Sequence, residues 1–385
     1  MKLNNRLQNI SEYHFKNLDL IRKQCNENGI NVTDLSIGDP DLPVNKKIID
    51  GLLYGLTLNN YNKYPPYEGI NELKKEIIKY YNEVYSVKLN LDEVLILIGS
   101  KEGINNLIPA VCDFGSYAII PKPSYPVYDI CCKLWGVHNY NIGLKKENSY
   151  LPNIGDLSKE ILKGSNLLIL NYPNNPTGAT ANSDFYEEIK DICNKNDIVI
   201  CNDAAYNEIL CNYNRPLSLL QNNKNNYCIE IGSFSKSYNM TGFRIGYAVG
   251  NSKIIKALSK VKTNVDSGQF KPIQYAALEA IKLDRSYINS IRKVYIERRF
   301  ETEKVLKKLN INFFSAEGTF YIWCETPEGY STKQFCEKLL SEYGIIVTPG
   351  KVFGDEGSKF FRIALTQEKE KIVSALSAVK LIANN

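Results

Sequence analysis

Residues 233–246 read Ser233-Phe234-Ser235-Lys236-Ser237-Tyr238-Asn239-Met240-Thr241-Gly242-Phe243-Arg244-Ile245-Gly246. A β-prone run, 227–231, leads into this stretch and a second, 244–249, leads out of it. A lysine at the end of a buried strand loses hydration, so its pKa falls and the free amine becomes a nucleophile. Hydroxyls at Ser233, Ser235 and Ser237, with Arg244 eight residues beyond the lysine, suit a phosphate. Together they suggest a lysine that forms a Schiff base with pyridoxal phosphate. A lone Ser-x-Ser-Lys is more often a solvated loop, so the reading depends on the rest of such a site existing elsewhere in the chain.

Upstream, short apolar strands alternate with helices. Strands are expected at 94–98, 117–120, 167–170 and 198–201, and helices at 71–85, 100–112, 127–134 and 183–194. This pattern predicts an α/β fold with a mainly parallel sheet covered on both faces. Chemistry-bearing residues then fall just past the strand ends, where open α/β sheets bind ligands. Gly99-Ser100-Lys101 follows one strand and would open a helix, leaving free amides for an anion. Pro123-Ser124-Tyr125-Pro126 follows a second, Asn171 to Gly178 a third, and Asn202-Asp203-Ala204-Ala205-Tyr206 a fourth. Neither a dinucleotide-binding G-x-G-x-x-G nor a P-loop occurs among them.

Residues 1–34 read as an arm with one short helix at 15–26, expected to pack on a smaller domain. Residues 34–41 form a strand broken by Gly38-Asp39-Pro40, and Gly38 permits close approach of backbone to a ligand. The aromatic, proline-rich stretch 61–69 cannot be helical. A large domain is expected over 35–283. From 284 to 385 the pattern changes to a smaller α+β domain, with helices at 284–309, 332–343 and 367–382 and strands at 320–324 and 360–365.

Composition narrows the class. In 385 residues, 44% hydrophobic and 23% charged content describe an ordinary globular protein, and a dispersed net charge of +5 gives no reason to expect nucleic acid. No apolar run approaches the ~20 residues a membrane helix needs, and the first residues lack a signal peptide's apolar core. Ten cysteines without C-x-x-C spacing, beside only two histidines, argue against zinc and for buried reduced thiols in a cytoplasmic protein.

Pyridoxal phosphate needs a carboxylate beside its ring nitrogen, and Asp203 is the candidate. Tyr206 and Asn175 suit its phenolic oxygen, and Tyr125 suits its ring face. A substrate carboxylate calls for an arginine fork, and Arg362 stands inside the apolar run 360–365. Once released from the cofactor, Lys236 is free to act as general base and acid.

These residues resemble the fold-type I pyridoxal-phosphate aminotransferases over nearly the whole chain. The resemblance rests on the lysine loop, on Tyr172-Pro173-Asn174-Asn175-Pro176-Thr177-Gly178, on Asp203-x-x-Tyr206 and on Arg362. It implies a large domain built on a mainly parallel seven-stranded sheet, with a smaller α+β domain. It also implies roles. Lys236, Asp203 and Tyr206 would be catalytic. Ser100, Lys101, Tyr125, Asn175, Ser233, Ser235 and Arg244 would join them in holding pyridoxal 5'-phosphate. Gly38, Asn175 and Arg362 would bind the substrate carboxylate. Tyr64 would reach the phosphate of a neighbouring subunit in a homodimer with shared active sites.

The stretches 37–43, 265–270, 319–323, 327–330 and 347–354 look most like LL-diaminopimelate aminotransferases and their relatives. Phe243 stands where many relatives carry tryptophan, and Glu317-Gly318 where Lys-Ala is common. The expected reaction is ping-pong transfer of an amino group between a diaminopimelate- or aspartate-like L-amino acid and 2-oxoglutarate. A C–S lyase of the same fold and a cofactor-binding regulator without turnover remain alternatives.

Overall fold

The computed structural model describes residues 4–8, 10, 23, 25, 27, 29–222 and 227–380. After a two-residue strand β1 (Thr33–Asp34), the chain builds a seven-stranded sheet. Its strands are β2 (Val94–Leu97), β3 (Tyr117–Lys122), β4 (His138–Gly143), β5 (Ser165–Leu170), β6 (Val199–Asp203), β7 (Cys228–Ser233) and β8 (Gly246–Gly250). They lie in the order β2-β8-β7-β6-β5-β3-β4, all parallel except β8, which runs antiparallel to both neighbours.

Alternate residues feed two cores. Leu168 and Leu170 of β5 join one cluster and Leu167 and Ile169 the other, as do Val94 and Ile96 against Leu95 and Leu97 in β2. Burial on both faces explains why these strands read as unbroken apolar runs. β4 is the exception. It is a polar edge strand with half-exposed residues, and the sequence reading does not contain it. The outgoing strand starts at Gly246 rather than 244, because Arg244 takes a left-handed backbone, φ 54°, after the turn Thr241–Phe243.

The longer helices around this sheet are α1 (Lys46–Thr57), α2 (Asn71–Tyr85), α3 (Ser100–Val111), α4 (Val127–Trp135), α5 (Ser183–Lys195), α6 (Ser252–Val265) and α7 (Lys271–Ile281). The sequence reading places no helix at α1, α6 or α7. In α1, Gly51 and Gly55 weaken the helical signal. They also let α7 approach. A β-carbon on Gly55 would sit 2.5 Å from Pro272 Cα, and one on Gly51 2.8 Å from the Tyr275 carbonyl oxygen.

The remainder comprises α8 (Arg285–Lys308), β9 (Tyr321–Glu325), α9 (Thr332–Tyr343), β10 (Ile345–Ile346), β11 (Thr348–Pro349), β12 (Phe360–Ala364) and α10 (Lys369–Ser377). β11, β12 and β9 form an antiparallel sheet, and β1 pairs in parallel with β10. At the N-terminal end, Asn5–Gln8 lies near α4, where Arg6 Nη1 donates to the Leu134 carbonyl at 2.8 Å. The helix expected at 15–26 falls almost wholly outside the described residues, as do 381–382 of the last one.

Charged pairs tie α8 to the rest. Arg298 grips both oxygens of Asp41 at 2.7 and 2.8 Å. The buried Glu208 carboxylate accepts from Arg292 at 2.8 Å, from the Tyr80 hydroxyl at 2.5 Å, and from Arg285. All ten cysteines are unpaired; Cys211 and Cys336 are half-buried and the others buried. Burial pushes the Cys112 and Cys131 thiols up to about 12. Among the described residues, no helix is long and apolar enough to cross a membrane.

Candidate active site

β7 ends at Ser233, whose Oγ accepts from the Ser235 amide at 3.1 Å and so caps the short turn Phe234–Ser237. That turn aims Lys236 across the strand ends, where Nζ donates to the Gly38 carbonyl at 2.7 Å. Enclosure by the cavity walls lowers the ammonium pKa to about 8. Asp39 opposes the fall, Arg244 and Arg362 reinforce it, and Asp203 opposes it more weakly. An amine so poised is a nucleophile near neutral pH.

Asp203 closes β6. Its Oδ2 accepts from the Tyr128 hydroxyl at 2.8 Å, and its buried Oδ1 has no side-chain hydrogen-bond partner among the described residues. Burial raises this carboxyl to about 6, although Tyr128, the nearby Ala205 amide and Lys236 pull it down. Asn171 Nδ2 holds the Asp203 carbonyl at 2.7 Å, and Asn171 Oδ1 accepts from the Asn175 amide at 2.8 Å. The Asn175 loop is thereby fastened to the aspartate strand. Three residues past Asp203, the Tyr206 hydroxyl lies 2.9 Å from that of Tyr321. Burial, then Tyr321, raises the Tyr206 phenol well above its ordinary value.

An anion cradle forms where β2 meets α3. Gly99 has φ 79°, and a β-carbon on it would sit 2.7 Å from Arg244 Nη2, so the guanidinium lies against the turn that opens α3. A β-carbon on Gly246 would sit 3.0 Å from the Ser100 amide. Glycine at both positions lets the arginine and the helix amides converge. Thr241 takes one guanidinium donor through its carbonyl at 2.8 Å.

Opposite, Arg362 on β12 is buried. Its Nη1 donates to Asn175 Oδ1 at 2.7 Å and its Nη2 to the Ser36 carbonyl at 2.5 Å. The guanidinium lies 3.9 Å from the Tyr321 ring centroid and 4.8 Å from that of Phe353. Aromatic faces on this scale favour the cation and hold the fork in one orientation.

One cavity of about 370 Å³ is lined by Gly38, Ser100, Lys101, Tyr125, Asn175, Asp203, Tyr206, Ser233, Ser235, Lys236, Arg244 and Arg362. Of the residues expected at the site, only Tyr64 lies elsewhere; it is 79% exposed. A larger hollow, about 680 Å³, behind Pro173 contains none of them. The cavity also holds Asp39, Tyr128, Asn171, Thr241 and Tyr321, which the sequence reading did not single out. Tyr128 follows Tyr125 by three residues across the turn that opens α4, where their rings meet edge to face at 5.9 Å between centroids. Tyr321 gave no such signal, because in an apolar strand it reads as core. The cavity brings together the Lys236 amine, the buried Asp203 carboxylate, the Gly99 turn with Arg244 laid against it, and the buried Arg362 fork.

The chain matches the model of the family "Aminotransferase class I and II" over residues 30–379. It is 38% identical over 380 residues to an LL-diaminopimelate aminotransferase of Syntrophobacter fumaroxidans, covering 98% of each chain. With the enzyme of the same name from Natranaerobius thermophilus it shares 39% over 381 residues, covering 98% of this chain and 99% of the relative. Among solved structures, apo BacF from Bacillus subtilis superposes with a TM-score of 0.94 at 31% identity, covering 98% of this chain and 97% of that one. An aminotransferase from Staphylococcus aureus gives 0.88 at 34%, covering 97% of each. The lysine loop, the aspartate strand and the buried arginine all fall inside the matched span, and the chain belongs to the class I and II aminotransferases.

Proposed function

We propose that this aminotransferase uses pyridoxal phosphate held by Lys236. It would move an amino group between an acidic L-amino acid, of the diaminopimelate or aspartate type, and 2-oxoglutarate by a ping-pong reaction. The observation that carries the cofactor is Asp203 Oδ1, a buried carboxylate oxygen without a side-chain partner among the described residues, in the cavity that holds the Lys236 amine. A cationic ring N–H is the donor this oxygen lacks. Ser100 and Lys101 through their amides, with Ser233, Ser235 and Arg244, would hold the phosphate. Tyr125 would cover the ring, and Tyr206 with Asn175 would donate to its phenolic oxygen.

Bound pyridoxal phosphate supplies an electron sink for the charge left when the substrate Cα loses its proton. The chain does the rest. Arg362 grips the substrate carboxylate beside Asn175 and Gly38, which fixes the orientation of Cα. Lys236 Nζ, with its lowered pKa, takes the Cα proton and returns it. The names of the relatives and the stretches of the sequence reading support a diaminopimelate-like substrate.

The exposed apolar residues Leu53, Tyr54, Tyr64, Tyr67, Val265 and Phe270 support a homodimer in which Tyr64 completes the neighbour's phosphate site. We place the division between large and small domains at 283/284, with 1–34 as the arm, and the reduced thiols suit a cytoplasmic enzyme.

The test is the visible spectrum of protein loaded with pyridoxal phosphate. LL-diaminopimelate, aspartate and glutamate are each expected to bleach the lysine-bound band, and 2-oxoglutarate to restore it. Lys236→Ala should show neither the band nor turnover. Pyruvate released from cysteine-type substrates would instead identify a lyase, and a band that no amino acid bleaches a regulator.

A further inference from the structure

Tyr321 makes more contacts across the cavity than any role assigned so far explains. It is 2% exposed and sits at the start of β9. Its ring lies under the Arg362 guanidinium, 3.9 Å from Cζ to centroid. Its hydroxyl is 2.9 Å from that of Tyr206. The backbone of Gly38 is pressed against the same oxygen, since a β-carbon on Gly38 would fall 1.7 Å from it. The other face of that glycine offers its carbonyl to Lys236. A single phenol thus touches the arginine fork, the tyrosine beside Asp203 and the backbone that receives the lysine.

Its position is imposed from α8. Arg299 Nη2 donates to the Tyr321 carbonyl at 2.6 Å, and the Thr319 hydroxyl accepts from the Tyr321 amide at 3.1 Å. Thr319 itself has φ 61°, a left-handed conformation uncommon for a β-branched residue. Such strain is held only where surrounding contacts over-determine it.

The 2.9 Å contact admits either phenol as donor, and the cofactor reading decides between them. Each phenol has one proton to give, and a buried hydroxyl proton without an acceptor is costly. Among the described residues, the Tyr206 oxygen is the one hydrogen-bond partner of the Tyr321 hydroxyl. If Tyr206 donated to Tyr321, Tyr206 would have no proton left to give the cofactor's phenolic oxygen. If Tyr321 donates, the Tyr206 proton is left free for the cofactor's phenolic oxygen in the cavity that both residues line.

We propose that Tyr321 is a positioning residue that donates to the Tyr206 oxygen and so turns the Tyr206 proton toward the phenolic oxygen of the cofactor. It also serves as the platform under the substrate-binding arginine. The proposal rests on the pyridoxal phosphate reading above. A phenol that accepts one hydrogen bond donates the next more strongly. Tyr321 therefore strengthens the bond that favours the deprotonated lysine–cofactor imine.

The experiment is a pH titration of the visible band in holoenzyme for wild type, Tyr321→Phe, Tyr206→Phe and the double variant. In Tyr321→Phe the apparent pKa of the band is expected to rise by about one unit, the scale of one hydrogen bond to a charged group. Tyr206→Phe should raise it further, and the double variant should match Tyr206→Phe alone. With the ring retained, the KM of Tyr321→Phe for the amino acid stays within about twofold, since the arginine platform is intact. Tyr321→Leu, which removes the platform, should raise that KM by about tenfold or more. An unchanged or lowered pKa in a folded, cofactor-loaded Tyr321→Phe would overturn the proposal, as would additive shifts in the double variant. No band in wild type would overturn the cofactor reading itself, and this proposal with it.

Discussion

Asp203 carries its functional cost in the free protein. Its folded pKa of about 6 exceeds the ordinary value of 3.8, chiefly through burial. A raised carboxyl binds its proton more tightly when folded, so stability falls as pH rises between those two values. Below about 4 the penalty is absent, and above about 6 it is fully present. Lys236 has the mirror behaviour in a higher window, its burial penalty relaxing as pH rises past about 8. Asp203→Asn is therefore expected to melt at a higher temperature than wild type in the apo state at pH 7.5. The gap would be on the order of 2 kcal/mol and would vanish by about pH 4. The variant should lose transamination. Thermal melts of the two apoproteins across that range check the sign, and an apo Asp203→Asn less stable at neutral pH would contradict it. At this scale the sequence was legible wherever a residue type was out of place, as with a lysine between serines or an arginine inside an apolar strand. Tyr128 and Tyr321 were not out of place, and their roles come from partners brought together only by the fold.

Among the elements, the central strands announced themselves because burial on both faces leaves little room for polar residues. β4 did not, being a polar strand whose place is set by pairing with β3. α1 shows a sharper conflict, for the glycines that obscure it as a helix are what seat it against α7. Gly55→Ala is expected to destabilise the protein by about 1–3 kcal/mol despite the better helix propensity of alanine. The new methyl would meet backbone at Pro272 rather than a movable side chain. Urea denaturation reads the change, and a Gly55→Ala protein as stable as wild type would mean that the two helices can separate without loss.

For the whole molecule, Tyr64 is the one expected site residue that the single chain leaves outside its own cavity. Under the proposed shared-site homodimer, this becomes a matter of subunit mixing. Lys236→Ala disables its own cavity but still offers a sound Tyr64, while Tyr64→Ala retains its lysine and deprives its neighbour. Each alone should be impaired. Co-refolded at equal amounts, they should regain about a quarter of the wild-type sites, since half the dimers are mixed and each mixed dimer has one complete site. Activity that never exceeds the average of the separate variants would rule out sharing. The sequence suggests this proposed arrangement only through resemblance, because nothing in an exposed tyrosine states whose cavity it serves.

The unpaired cysteines give the molecule an internal set of timers. Thiol reagents attack the thiolate, and burial holds that form back, with the Cys193 and Cys228 thiols also pushed up to about 12. Labelling in the native state is therefore paced by opening of the surrounding structure. Cys201 and Cys228 lie on adjacent strands of the central sheet and Cys324 on the small one. Mass spectra of a protein left with an alkylating reagent would order the openings of its parts in time, without any engineered probe.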